Sequence, residues 1–174
     1  MPELWEIYDK NKNVTGRVAE RDVYKFKEGE YHLVVVALII NSKNEILITK
    51  RSATKNREPL KWELTGGGVR AGETSLQGIL RETQEEIGMK FTPEEAIFLK
   101  EIRRDRLPSD FKDLWLFKND TPINEIKFED GEVCDAKWVT MEEFLKIKEN
   151  KEMISTIDFE REDYDLALKK LTLK

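Results

Sequence analysis

Three glutamates set the chemistry that this sequence can support. Glu82, Glu85 and Glu86 stand at i, i+3 and i+4, so on a helix they share one side. Like charges at that spacing repel by a few tenths of a kcal/mol per pair. Mid-helix Gly78, on the same side one turn earlier, leaves room beside the acids but costs roughly 1 kcal/mol more relative to alanine. A helix bearing both penalties on one face suggests something bound there. Clustered carboxylates are hard oxygen ligands, and a divalent cation such as Mg²⁺ would relieve their repulsion. The plain alternative is a solvated acidic face, the usual fate of a charge run.

A helix must position these acids. Thr74 and Gln77 have capping-box spacing, and Gly88 offers a stop. Leu76, Ile79, Leu80, Thr83 and Ile87 form a core-facing stripe beside the acids. Immediately upstream, Gly66-Gly67-Gly68 marks a sharp backbone feature.

Counted from Gly67, the chain reads five residues, Glu73, seven residues, then Arg81-Glu82-Thr83-Gln84-Glu85-Glu86-Ile87-Gly88-Met89. This resembles the box of the Nudix hydrolases, a glycine, a glutamate and an Arg-Glu-x-x-Glu-Glu-x-Gly run at those spacings. Seven polar or glycine positions coincide, a match that chance gives about once in a million for this length. Thr83 is the departure, at a position normally apolar.

The resemblance implies an α/β fold, a Nudix-type α/β/α sandwich with a mixed sheet and a loop-helix-loop. It also implies metal ligands at Glu85, Glu86, Glu82 and the Gly67 carbonyl, with Mg²⁺ as cofactor and Mn²⁺ as substitute. Arg81 and Glu73 resemble a supporting pair. Glu82 resembles a ligand or the base that activates water. Glu132, six residues before Trp138, resembles a further acid from a later strand, with Glu129 as its alternate. The implied reaction is Mg²⁺-dependent hydrolysis of a diphosphate linkage in a nucleoside diphosphate derivative or related organic diphosphate. Two alternatives stay open. The N-terminal Leu4-Trp5-Glu6-Ile7-Tyr8-Asp9, Gly16-Arg17 and Glu30-Tyr31-His32-Leu33 look like the subgroup near isopentenyl-diphosphate isomerase, though no cysteine or histidine occupies residues 62–68. A Nudix-like binding or regulatory module without turnover is the other, and its mark would be a degraded box.

Substrate contacts are less legible. Arg51 and Lys61, with Lys50, Lys55 and Arg57, precede the box and could meet outer phosphates. They could equally be a solubilising loop, and Arg103, Arg104 and Arg106 share that ambiguity. Trp62 and Trp115 read as core before they read as base-stacking platforms. His32 reads as a satisfied structural histidine and Cys134 as a small core residue.

Composition bounds the rest. The 174 residues carry 30 Lys plus Arg against 35 Asp plus Glu, a net charge of −5, and 39% are hydrophobic. That length suits one domain, residues 1–174, with an N-terminal hairpin extension over about 1–30. An acidic chain is not a dedicated nucleic-acid binder. The longest apolar run, Leu33 to Ile40, falls far short of the ~20 residues of a membrane span. The N-terminus lacks signal-peptide character, and one cysteine forms no internal disulfide, so a cytoplasmic enzyme with no membrane association is expected. A small-molecule diphosphate is the expected partner. Oligomeric state is open, homodimers being frequent in the family.

Overall fold

The computed structural model describes residues 2–128 and 131–173. Its centre is the longest apolar run, Leu33 to Ile40, which forms most of a buried strand. β-Branched and aliphatic side chains fill β3 (Tyr31–Ile40), and their alternation divides the core in two. Leu38 and Ile40 enter one cluster with Ile46, Ile48 and Phe144. Leu33, Val35, Ala37 and Ile39 enter the other with Val69, Ile79 and Ile87. A strand apolar on both faces requires cover on both, and helices supply it.

Around β3 the mixed sheet assembles as follows. An N-terminal hairpin, β1 (Leu4–Tyr8) and β2 (Val14–Glu20), reaches β3 through one antiparallel pair, Tyr8 with Tyr31. β4 (Ile46–Arg51) follows β3 and pairs with the short β5 (Trp62–Glu63) and with β9 (Val133–Val139). β6 (Gly66–Gly68) returns along β3, Val35 facing Gly67. β7 (Ile97–Arg104) and β8 (Ser109–Lys118) form a hairpin, and β8 runs parallel to β3 over ten residue pairs, Tyr31 with Ser109 through Ile40 with Lys118.

Among the described residues three α-helices cover the sheet. α1 (Ser75–Ile87) lies over the cluster containing Val35, while α2 (Met141–Glu149) and α3 (Arg161–Thr172) cover the other. This is the expected α/β/α sandwich. The predicted capping box of Thr74 with Gln77 forms, a second caps α2 through Thr140 and Glu143, and Gly88 ends α1 in the left-handed conformation. Thr83, the departure from the box, is fully buried and donates to the carbonyls of Ile79 and Leu80 at 3.0 and 3.1 Å. Its hydroxyl is satisfied within the helix, so the polar substitution carries no unpaired group. No helix of the described residues is long and apolar enough to cross a membrane.

Candidate active site

α1 and β6 together build the acidic site. Glu82 and Glu86 are buried, whereas the Glu85 side chain is 40% exposed. Glu86 accepts from the Gly66 N–H at 3.1 Å. Glu82 lies so close to β6 that a Cβ on Gly67 would fall 2.5 Å from its Oε1. Only glycine admits a buried carboxylate at that point. Gly78 has a different reason to lack a side chain. Its Cβ would meet Val69 Cγ2 at 2.9 Å, so the residue lets α1 approach the sheet. This corrects the expectation that Gly78 leaves room for a ligand.

Arg81 ties the group together. Its guanidinium donates to Glu73 at 2.8 and 2.9 Å, Glu82 at 2.7 Å, Glu85 at 3.0 Å and the Gly68 carbonyl at 3.0 Å. Glu73 also accepts from the Arg70 N–H, closing the loop before α1. Arg81 and Glu73 thus form a pair that joins helix, loop and strand. Glu85 is bound a second time, by Arg70 at 3.3 Å.

Burial, the largest influence on Glu82, pushes its proton affinity up against the opposing charge and hydrogen bond of Arg81; the charges of Glu85 and Glu3 push the same way. Glu73 is the reverse case. Burial acts to raise it, but the Arg81 and Arg70 contacts hold it below the ordinary carboxylate range.

Glu82 and Glu86 open onto a cleft of about 690 Å³, together with Gly66, Gly67 and Gly68. Further lining comes from the end of β4, the loop after it and the residues before β9. Arg51 stands there, paired with Glu63 at 2.9 Å and donating to the Arg57 carbonyl. Lys55 pairs with Glu132. Burial acts to raise Glu132, and Lys55, Arg21 and Arg51 overcome it and hold the carboxyl low. The third wall is aromatic. Trp5 stacks on His32, ring centroids 4.5 Å apart and planes 7° from parallel, and covers Gly68. Arg21 lies over the Trp5 ring at 5.7 Å. His32 is buried with Nδ1–H donating to the Ser109 carbonyl at 3.1 Å, and burial pushes its pKa down, so it is neutral.

The cleft therefore gathers Glu82, Glu86, Gly67, Glu132 and Arg51 from the residues singled out in the sequence. Glu85 sits beside it, held by Arg70 and Arg81. Lys61 is not among its lining residues: its ammonium caps the Lys151 carbonyl instead. Glu129 lies outside the described residues. Trp62 is core, with Lys50 and Lys137 over its ring, and Trp115 donates to Ser75 at the start of α1. Cys134, expected in the core, is exposed on β9. Its strand leaves that side uncovered, and a single cysteine carries no signal of which way it faces. Trp5, Arg21 and Lys55 are cleft residues that the motif does not include. The first two are delivered by a hairpin some 60 positions before α1, a neighbourhood that no local pattern specifies.

The donor set suits a hard cation. Two buried carboxylates against glycine backbone, with a third across the same cleft, offer oxygen ligands and no sulfur or additional imidazole. Among the described residues no three acidic, histidine or cysteine side chains already converge as a cage.

The family model described as NUDIX domain matches residues 30–158. A Listeria monocytogenes protein named an uncharacterized Nudix hydrolase is 33% identical over 156 residues, 87% of this chain and 88% of that one. A crystal structure of a Deinococcus radiodurans protein superposes with a TM-score of 0.73 at 21% identity, covering 98% of both chains. The NUDIX domain of a Shewanella oneidensis protein, crystallised with ADP ribose, gives a TM-score of 0.62 at 17% identity, covering 88% and 94%.

Proposed function

The chain belongs to the NUDIX family and is a pyrophosphohydrolase of that family, and on that premise we propose that it cleaves the diphosphate of a nucleoside diphosphate derivative at the cleft between α1 and the loop after β4, with a divalent cation, Mg²⁺ or Mn²⁺. One observation carries this reading: buried Glu82 and Glu86 open onto the same cleft as Arg51 and Lys55. Acid and base thus face each other across a space sized for a small organic diphosphate.

Glu82, Glu86, Glu85 and the Gly67 carbonyl would hold the ion. When bound it would screen the diphosphate's charge and lower the pKa of a coordinated water. The protein's own groups do the remaining work. Arg51 and Lys55 orient phosphate oxygens through charge-assisted hydrogen bonds. Arg81 and Glu73 keep α1 and β6 in register, so the carboxylates stay on target. A general base accepts the water's proton. Glu82 and Glu132, carboxylates that line the cleft, are the two candidates for that base. The box retains every carboxylate, which argues against a module without turnover. The isomerase alternative draws no support from exposed Cys134 or from His32, whose Nδ1 is engaged by Ser109.

The test is Mg²⁺-dependent release of phosphate or nucleoside monophosphate from a panel of nucleoside diphosphates, dinucleotides and nucleotide sugars. Glu82→Gln should lower kcat at least a hundredfold. Full activity of verified metal-free protein in chelator would overturn the metal-assisted mechanism.

A further inference from the structure

The cleft does not end at the aromatic wall. A second recess of about 410 Å³ shares His32, Val34, Arg51 and Arg57 with it, and continues to Arg104 and Arg106. The two chambers differ in charge. Around the acidic site, Arg21, Arg51, Lys55 and Arg57 are matched by Asp22, Glu82, Glu86 and Glu132. In the second recess four arginines line the walls with only two carboxylates, Glu58 and Asp110, beside a neutral histidine; Arg51 and Arg104 are also paired with Glu63 and Asp158, which do not line it, so the uncompensated charge is that of Arg57 and Arg106. That excess of positive charge stands in a protein whose net charge is −5.

The carboxylates there are also committed. Asp110 is buried and bidentate with Arg104. Glu58 accepts from the backbone and hydroxyl of Ser155 at 2.7 and 3.2 Å, binding the loop after β4 to the far rim. Arg57 and Arg106 make no ion pair with any carboxylate among the described residues. Two guanidiniums without counter-charge, at one recess that joins the acidic cleft, form a receptor for a dianion. Val34, Leu107, Pro108 and Ile154 give the recess apolar walls suited to the carbon skeleton between two anionic groups.

We propose that the recess lined by Arg57, Arg104 and Arg106 binds a phosphate monoester carried by the substrate apart from the diphosphate that is cleaved. The preferred substrate class is then a nucleoside diphosphate derivative with an additional phosphate. This rests on the reading of the adjoining cleft as the hydrolytic site, and it assigns Arg106 to specificity and not to chemistry.

The experiment uses two pairs of compounds that differ by one ribose phosphate: coenzyme A against dephospho-coenzyme A, and NADPH against NADH. Hydrolysis is followed with Mg²⁺, and binding to full-length Glu82→Gln is followed by calorimetry. For at least one pair the phosphorylated member should bind about tenfold or more tightly, with the same ratio appearing in KM and little change in kcat. Arg106→Ala should abolish the difference while leaving the unphosphorylated member unaffected, and Arg106→Lys should restore part of it. Arg106 is exposed and unpaired, so neither variant threatens folding. Equal binding within both pairs, no binding of any of the four, or an equal effect of Arg106→Ala on both members would overturn the proposal. Discrimination in binding without turnover would uphold the recess and refute the hydrolytic reading.

Discussion

Replacing Arg81 with methionine tests whether the acidic site is held together by one guanidinium. The arginine side chain is 14% exposed and spans Glu73, Glu82 and Glu85, of which Glu82 is the most deeply enclosed at 11%. Methionine keeps much of the volume and deletes the charge. Removing one partner of a buried ion pair costs about 3–5 kcal/mol, because the remaining charge is stranded. Glu85 retains Arg70 and is well solvated, and Glu73 retains the Arg70 N–H. The lower end therefore applies, about 3 kcal/mol. At roughly 2–4 °C per kcal/mol for a chain of this size, the melting temperature should fall by about 6–12 °C. The sign of the pH dependence follows from Glu82. Its proton affinity is raised in the native state, more so without Arg81, so a falling pH neutralises the stranded carboxylate and favours folding. Thermal melts in chelator at pH 7.5 and 5.5 should show a smaller deficit at the lower pH. Glu82→Gln placed on Arg81→Met should recover about half the loss at pH 7.5, a coupling that a double-mutant cycle reads directly. A melting temperature within 2 °C of wild type, or no recovery in the double variant, would refute the reasoning.

Glu85→Gln should melt within about 2–4 °C of wild type in chelator, since its partly exposed pairs are each worth less than about 1 kcal/mol; yet kcat with Mg²⁺ should fall several hundredfold, and a large metal-free loss would mark it as structural. Gly78→Ala sets a helix gain of about 1 kcal/mol against overpacking of 1–3 kcal/mol on Val69, for a net loss near 1 kcal/mol. Val69→Ala in the same chain should remove that clash, and a plain gain in Gly78→Ala alone would contradict the close approach. His32 has a depressed native pKa, so its neutral form is the folded one, and stability is lost as pH falls through about 6.5, where the unfolded imidazole takes up its proton. The melting temperature of His32→Asn should accordingly drop less than that of wild type between pH 7.5 and 5.5; parallel slopes would place the titration elsewhere. Cys134→Ser, on the exposed side of β9, should change neither kcat nor melting temperature measurably, and a hundredfold loss of kcat in folded protein would revive a thiol mechanism.

What could be read from the sequence was what depends on near neighbours. Thr74, Gln77 and Gly88 specify the ends of α1 by contacts within the helix itself, and the structure forms them as expected. The continuous apolar run of β3 demanded helices on both faces, and received them. Failures occur where the deciding neighbour is distant in the chain. Gly78 looked like space left for a ligand because Val69's position against α1 is a tertiary fact. Lys61 was indistinguishable from Arg51 in a basic loop, until β5 turned one toward Lys151 and the other toward Glu63. The charge run Glu82–Glu86 did not disclose that Arg70, fifteen residues before Glu85, would be its second partner.

The parallel pairing of β3 with β8 has a consequence for how the protein reaches its working form. Each paired residue stands 78 positions from its mate, with β4, β5, β6, α1 and β7 strung between them. Non-local parallel pairing is slow, because the loop must close before any contact repays its entropy. His32, which borders both chambers, pairs with Asp110, which borders the arginine recess, through that register. The arginine recess, and the Ser109 carbonyl that holds His32 between the two chambers, are not in place before this loop has closed, so no partly folded form with β3 and β8 apart holds a finished site. Recovery of activity on refolding should therefore coincide with the last kinetic phase of core burial and never precede it.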